Sequence, residues 1–476
     1  MDVTAASATE LALLIRSRRA SAEEVMNAHL ARIEGVNPLV NAIVRLDAEG
    51  ARRRAREADG ALGRGENWGP LHGVPFTLKD MHAAQGMAGS LGSRASERVA
   101  AEDGVIAERL KRAGAILLGK TNMSNGVQTA SEQFGRTSNP YDLSRTPGGS
   151  SGGSAAAIAA RISPFDVGTD LSGSIRMPAH FAGVYGLRPT TQRIPMAGMI
   201  YAPPGVPRLD RVFSAAGPMA RSAADIALLF RLLAGADPRD PEVAPVPVRD
   251  TEKVEMRDLR IAIAPSIAGI RIAREIQTAI EQLGSRLSNL GVCVEAREPV
   301  IFEELLAAFR RLFRILINTA GPASSTVSTG AVTSERAPTP YHLMIALEER
   351  DRFMTGLESF FSGYDAFICP AAICTAFPHG PRGSQVDVDG ELSASTCIDH
   401  PTILSTYTGA PSLVVPIAIG SGGLPIGAQL VGPRWSDERL IAIGSVVADV
   451  ADPLPPPREP FATAQDAQEK VAPPAS

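Results

Sequence analysis

At 476 residues the chain is long enough for several small domains or one large α/β unit. With 44% apolar, 21% charged and 5% aromatic residues and a formal net charge of -4, it has no basic footprint for nucleic acid, no polybasic membrane surface and few rings for base stacking, so the expected partner is a small molecule. The cysteines Cys293, Cys369, Cys374 and Cys397 lack C-x-x-C spacing and no H-E-x-x-H pair occurs, so no disulfide framework and no metal site are expected.

The first segment has two capping boxes, Ser7 with Glu10 and Ser21 with Glu24, each followed by apolar residues at helical spacing. They predict two helices. Asn41–Leu46 follows as a strand and Ala48–Ala58 as a charged surface helix. Val74–Leu78 is a short apolar strand that ends at Lys79-Asp80. Val105–Ala113 reads as a helix, Ala115–Leu118 as a strand, Gly152–Ala160 as a close-packed alanine helix and Phe165–Val167 as a strand. Further on come a buried strand at Leu259–Ala264 and helices over Glu275–Leu290, Phe302–Ile317 and Tyr341–Phe361. The long charge-free run Pro401–Pro433 is broken by glycine and proline. It fits two strands, Ser412–Ile419 and Ile426–Val431, around a Gly-Ser-Gly-Gly turn better than a membrane helix. The start lacks the basic and apolar runs of a signal peptide, so a cytoplasmic protein with free thiols is expected.

Strand and helix alternate throughout, which predicts an α/β layer fold with much parallel pairing. Ala236–Val248 reads as a surface connection, and the polar, proline-rich end as a disordered tail. A single unit over 1–462 with a tail at 463–476 is the expected organisation. Gly and Pro make up about 17% of the chain against about 12% on average. The excess gathers at Leu71–Pro75 and Pro147–Gly153, which directs attention there.

Two motif matches lack their context. Gly114-x-x-x-x-Gly119-Lys120-Thr121 has Walker A lettering, but Ala115–Leu118 is a buried-strand sequence rather than a loop that can turn its N–H groups to phosphate. Gly148-Gly149-Ser150-Ser151-Gly152 fits the nucleophile elbow G-x-S-x-G, yet a turn-like run, Asp142–Pro147, precedes it instead of a strand. A triad on that elbow would need His379 or His400 with Asp365 or Asp399, and nothing local marks those residues.

A third arrangement uses more of the chain. Gly73-Val74-Pro75-Phe76-Thr77-Leu78-Lys79-Asp80, then Thr146–Ser154, then Gly168-Thr169-Asp170-Leu171-Ser172-Gly173-Ser174-Ile175-Arg176 follow one another. With Gly119–Met123, Asn139-Pro140, Gly217–Ser222 and Gly423–Gln429, these segments resemble the amidase signature family over about residues 5 to 450. The resemblance implies a large mixed, partly parallel central sheet covered by helices on both faces, with a catalytic core at about 70–220. It also implies Ser174 as nucleophile, Ser150 as the bridging serine on a cis peptide bond and Lys79 as general base. The N–H groups of Leu171, Ser172, Gly173 and Ser174 would form the oxyanion hole, and Asp170, Arg176 and Ser151 would support the site. No cofactor is implied.

The chemistry of these residue types fits such roles. A serine hydroxyl needs a base, a lysine serves as one only when burial lowers its pKa, and a second hydroxyl can relay a proton. Taken singly, Lys79 reads better as a surface lysine after a strand, and the serines as loop and cap residues; the combination of the three segments in order favours the catalytic roles. Ser172 stands where glycine is frequent in the family, Arg188 where lysine is usual, and Ser405–Pro411 replaces an asparagine-containing run, expected to alter pocket polarity. The expected reaction is hydrolysis of an aryl, alkyl or fatty amide. A carbamate substrate, or a glutaminase subunit of an amidotransferase complex, remains open, as does a homodimer. The apolar run Met196–Pro207 and the helices of Phe302–Phe361 are expected to close the pocket.

Overall fold

The computed structural model describes residues 2–124, 130–199, 212–250, 254–320, 338–381, 383–394 and 400–459. Both capping boxes form. Ser7 Oγ accepts from Glu10 N at 3.2 Å while Glu10 Oε2 accepts from Ser7 N at 2.8 Å, which starts helix α1 (Ala8–Arg16). Ser21 and Glu24 repeat the exchange at the head of α2 (Ala22–Val40). Then come β1 (Ile43–Leu46), α3 (Ala48–Gly63), β2 (Pro75–Lys79), the short β3 (Ala88–Gly89) and β4 (Arg98–Val99), α4 (Val105–Arg112) and β5 (Ile116–Thr121). A three-stranded sheet in the order β1-β5-β2 results. In it β2 runs parallel to β5 and Lys79 sits opposite Thr121.

The middle of the chain supplies α5 (Gly152–Ala159), β6 (Phe165–Asp170), α6 (Arg176–Ala182), β7 (Tyr185–Arg188), β8 (Ala215–Ala220) and α7 (Ala223–Leu233). After these follow β9 (Arg260–Ile263), α8 (Arg274–Asn289), β10 (Cys293–Ala296), α9 (Phe302–Ala320), α10 (Pro340–Phe360) and β11 (Ala366–Pro370). The chain continues through β12 (Gln385–Val388), β13 (Glu391–Ala394), α11 (Ile403–Thr408), β14 (Ser412–Ile419), β15 (Pro425–Val431) and α12 (Asp437–Val450). Eight strands form the central mixed sheet in the order β10-β9-β11-β15-β14-β7-β8-β6.

Pairing in that sheet is more antiparallel than the strand–helix alternation suggests. Only β10–β9 and β9–β11 are parallel; from β11 to β6 every neighbour is antiparallel. The reason lies in the connections. Parallel neighbours need a crossover, and α8 supplies one between β9 and β10, whereas the Gly420–Gly423 turn lets β14 fold straight back as β15.

Helices cover both faces. Along β14, Leu413 and Val415 point to one side, where Gly444 lets α12 approach so closely that a Cβ there would lie 2.2 Å from Leu413 Cδ2. Val414 points to the other side and packs with Ile175, Ala179 and Ala182 of the α6 region. Small side chains also let α5 bury Ala155, Ile158 and Ala159 in the same cluster. Among the described residues no helix is long and apolar enough to cross a membrane. The tail at 463–476 and Cys397 lie outside the described residues.

Candidate active site

Lys79 ends β2 with its side chain fully buried. Its Nζ lies 2.7 Å from Thr169 Oγ1, 2.8 Å from Ser150 Oγ and 2.9 Å from Ser151 Oγ. Burial pulls the lysine down from its usual 10.5 to about 7, against the opposing pull of the Asp170 and Asp166 carboxylates. Ser150 and Ser151 lead into α5, after a cis Gly149–Ser150 peptide and a Gly148 held at φ +83°. Ser151 is buried and Ser150 half-buried. Ser151 N donates to Ser174 O at 3.2 Å, which fixes the two serine loops against each other. Ser174 is half-buried in the turn between β6 and α6 that follows Asp170, and its carbonyl is the atom that meets the Ser150–Ser151 loop.

That loop wraps around one carboxylate. Asp170 Oδ1 accepts from Gly173 N at 2.8 Å, and Oδ2 from Ile175 N at 3.1 Å and Arg176 N at 3.4 Å. The Arg176 fork adds Nε–Oδ2 at 2.9 Å and Nη2–Oδ1 at 2.8 Å, with Arg188 Nε 3.7 Å from Oδ1. Burial alone would raise the Asp170 carboxyl, but Arg176 and then Arg188 hold it well below the usual carboxylate range. The Gly173 N–H, one of the four expected to form the oxyanion hole, donates to Asp170 in this structure. Among the described hydrogen bonds, the N–H groups of Leu171 and Ser174 have no protein partner.

The Ser405–Pro411 run, expected to alter pocket polarity, meets Arg176 in the structure. Ser405 Oγ and Thr406 Oγ1 accept from Arg176 at 2.6 and 2.9 Å, beside Thr402 O at 2.6 Å and Gln429 Oε1 at 2.9 Å. The opposite side of α11 carries Tyr407 into a group of rings, Phe309 and Phe313 of α9, Phe353 of α10 and Phe213. The two long helices thus pack against α11 through these rings, and 321–337 between them lies outside the described residues. Of Met196–Pro207 only 196–199 is described; Met199 bridges to His82, three residues past Lys79.

Both motif decoys lose their chemistry. β5 runs through the Walker lettering, and Lys120 buries its ammonium against the carbonyls of Asp80 (3.2 Å) and His82. The His379 ring nitrogen faces Ser138 Oγ at 3.5 Å, Asp365 pairs with Arg439 at 2.6 Å, His400 is buried and Asp399 lies outside the described residues. Sequence reasoning passed over Thr169, Lys79's shortest hydrogen-bond partner, and over Asp166, which accepts from Thr77 Oγ1 at 2.7 Å. The alternation Thr77-x-Lys79 puts both side chains on one face of β2, but nothing in it tells that β6 packs there.

A family model described as Amidase matches residues 24–326 and 324–441. The chain is 34% identical to the glutamyl-tRNA(Gln) amidotransferase A subunit of Acidothermus cellulolyticus, over 94% of either chain. It is similar in structure to a bacterial aryl acylamidase of the amidase signature family, with TM-score 0.79, 27% identity and 94% of this chain and 96% of that one covered. The native peptide amidase from Stenotrophomonas maltophilia also matches at TM-score 0.79 and 27% identity, with 95% and 98% covered. Fold, family model and relatives agree, and the chain belongs to the amidase signature family, as a serine-based hydrolase of amide C–N bonds.

Proposed function

We propose that Ser174 attacks the carbonyl of a neutral carboxylic amide and forms an acyl-enzyme, activated by Lys79 through Ser150. The observation that carries this reading is the fully buried Lys79 ammonium group 2.8 Å from Ser150 Oγ, with burial pulling it down to about 7. As the neutral amine, Lys79 takes the proton of Ser150 while Ser150 takes that of Ser174. The carbonyl oxygen becomes an alkoxide that the N–H groups of Leu171, Ser172 and Ser174 face, with Gly173 setting the turn. The proton then returns through Ser150 to the leaving nitrogen, the C–N bond breaks, and water releases the acid by the same path. No cofactor enters these steps.

An aryl, alkyl or fatty amide is the substrate class of this reading, supported by the likeness to a bacterial aryl acylamidase. Residues 1–462 act as one catalytic unit in this reading, in the cytoplasm and on a small molecule rather than nucleic acid. A carbamate presents the same carbonyl to the same nucleophile and is the alternative within this mechanism. The test is turnover of anilides, alkyl amides, dipeptide amides and carbamates, with Ser174→Ala as control. Apolar amides are expected to turn over fastest; retained activity in Ser174→Ala refutes the nucleophile, and preference for carbamates refutes the amide class.

One observation favours a second reading, as a glutaminase subunit. The curated relatives, at 34% identity and below, are named as glutamyl-tRNA(Gln) amidotransferase A subunits. Ammonia release from glutamine that rises when partner chains are added would establish it.

A further inference from the structure

Asp166 is fully buried in β6. Its Oδ2 accepts from Thr77 Oγ1 at 2.7 Å and from Thr121 Oγ1 at 3.1 Å. Thr77 shares a strand face with Lys79 two residues on, and Thr121 is the register partner of Lys79 in β5. The other carboxylate oxygen, Oδ1, is buried without a hydrogen-bond partner. A carboxylate held this way is costly unless a cation compensates it.

The charges around it are few. Lys79 comes from β2 and Lys120 from β5, the latter bound to the carbonyls of Asp80 and His82. Asp80 is taken by Arg45 at 3.0 Å and by Ser90. Burial first, then Lys120 and Lys79, push the His82 imidazole well below its usual range. Asp170 is matched by Arg176 and Arg188. The neighbouring β8 and α5 carry no charged residue, α5 contributing the Ser154 hydroxyl. Of the carboxylates that act on Lys79, Asp166 is therefore the one without an arginine.

We propose that Asp166 is a positioning residue for Lys79, its carboxylate being the counter-charge against which the lysine takes up and releases the serine proton. This rests on Lys79 being the base. Burial pushes Asp166 up to about 6 while it pulls Lys79 down to about 7, so both change charge near the same pH. A clamp of hydroxyls that only joined β2, β5 and β6 would need no charge at this point.

The experiment is the pH dependence of covalent labelling of Ser174 by a fluorophosphonate probe, which needs no knowledge of the natural substrate. Wild-type labelling should rise through about pH 7. Asp166→Asn should move that midpoint about one unit lower, because the protonated lysine loses its counter-charge. Asp166→Glu should restore the wild-type midpoint. Thr77→Val, which strips one donor from the carboxylate and so weakens its charge, should give a smaller shift the same way. A wild-type midpoint in folded Asp166→Asn overturns the proposal; if that variant does not fold, an unshifted Thr77→Val overturns it. Lys79→Ala separates the two readings: wild-type labelling there refutes Lys79 as base, whatever Asp166 does.

Discussion

The amide N–H of Gly173 donates to Asp170 Oδ1 at 2.8 Å, so the residue before Ser174 is tethered to the carboxylate that ends β6. Gly173 holds φ +118°, and a Cβ there would lie 2.9 Å from Thr402 Oγ1. Ser172, by contrast, keeps a negative φ and accepts at its carbonyl from Thr402 Oγ1 at 3.2 Å.

With Ser174 as the proposed nucleophile, Gly173→Ala should therefore cost about a hundredfold in kcat, since small displacements of a nucleophile cost on that scale. Ser172→Gly should stay within about threefold, because a glycine there needs no new backbone conformation and removes no oxyanion N–H. Steady-state kinetics on one anilide compares the two directly. Equal losses would contradict the assignment of backbone roles.

Arg176 carries the second prediction. Its guanidinium is fully buried and satisfied by Asp170, Thr402, Ser405, Thr406 and Gln429. Removing it strands a buried carboxylate, which costs about 3–5 kcal/mol. Arg176→Met should lower urea-unfolding stability by about that amount, and Arg176→Lys by less while still losing the fork. Stability within about 0.5 kcal/mol of wild type would show that Asp170 finds another partner.

Lys79 gives a pH prediction of unusual sign. Its folded-state pKa is depressed from 10.5 to about 7, so between those values the unfolded chain binds the proton and the folded chain does not. The burial penalty is complete below about pH 7, shrinks as pH rises and is gone above about 10.5. From the shift alone it amounts to roughly 5 kcal/mol as an upper figure. Lys79→Met should gain stability relative to wild type at pH 6 and lose that relative gain by pH 10. Urea unfolding at pH 6, 8 and 10 checks the trend, and a pH-independent difference would sink it. In the proposed mechanism activity runs the same way as wild-type stability: it needs the neutral amine and should rise through about pH 7.

What the sequence makes legible is local. Ser7 with Glu10 and Ser21 with Glu24 announce their helices because the capping contacts span three residues. The Gly420–Gly423 break announces the β14–β15 hairpin for the same reason. Lys79, Ser150 and Ser174 were legible only through their resemblance to a family, since each alone reads as loop or surface. Thr169 and Asp166 were not legible: their partners Lys79 and Thr77 lie about ninety residues away, and no periodicity reports that β2 packs against β6. The direction of Ser405 and Thr406 was hidden similarly, because an arginine 229 residues upstream of Ser405 decides it. Gly173's commitment to Asp170 is local, yet nothing in its lettering tells which way an amide points.

The grip of Arg176 on Thr402, Ser405 and Gln429 also sets an order on synthesis. A ribosome delivers Ser174 long before it delivers the carbonyl and side chains that the arginine beside it requires. Until some 250 further residues have emerged, the nascent serine loop has its carboxylate and its cation but no seat for the far side of the cation. A chain cut anywhere between the two would keep Lys79, Ser150 and Ser174 and leave Arg176 without Thr402, Ser405 and Gln429.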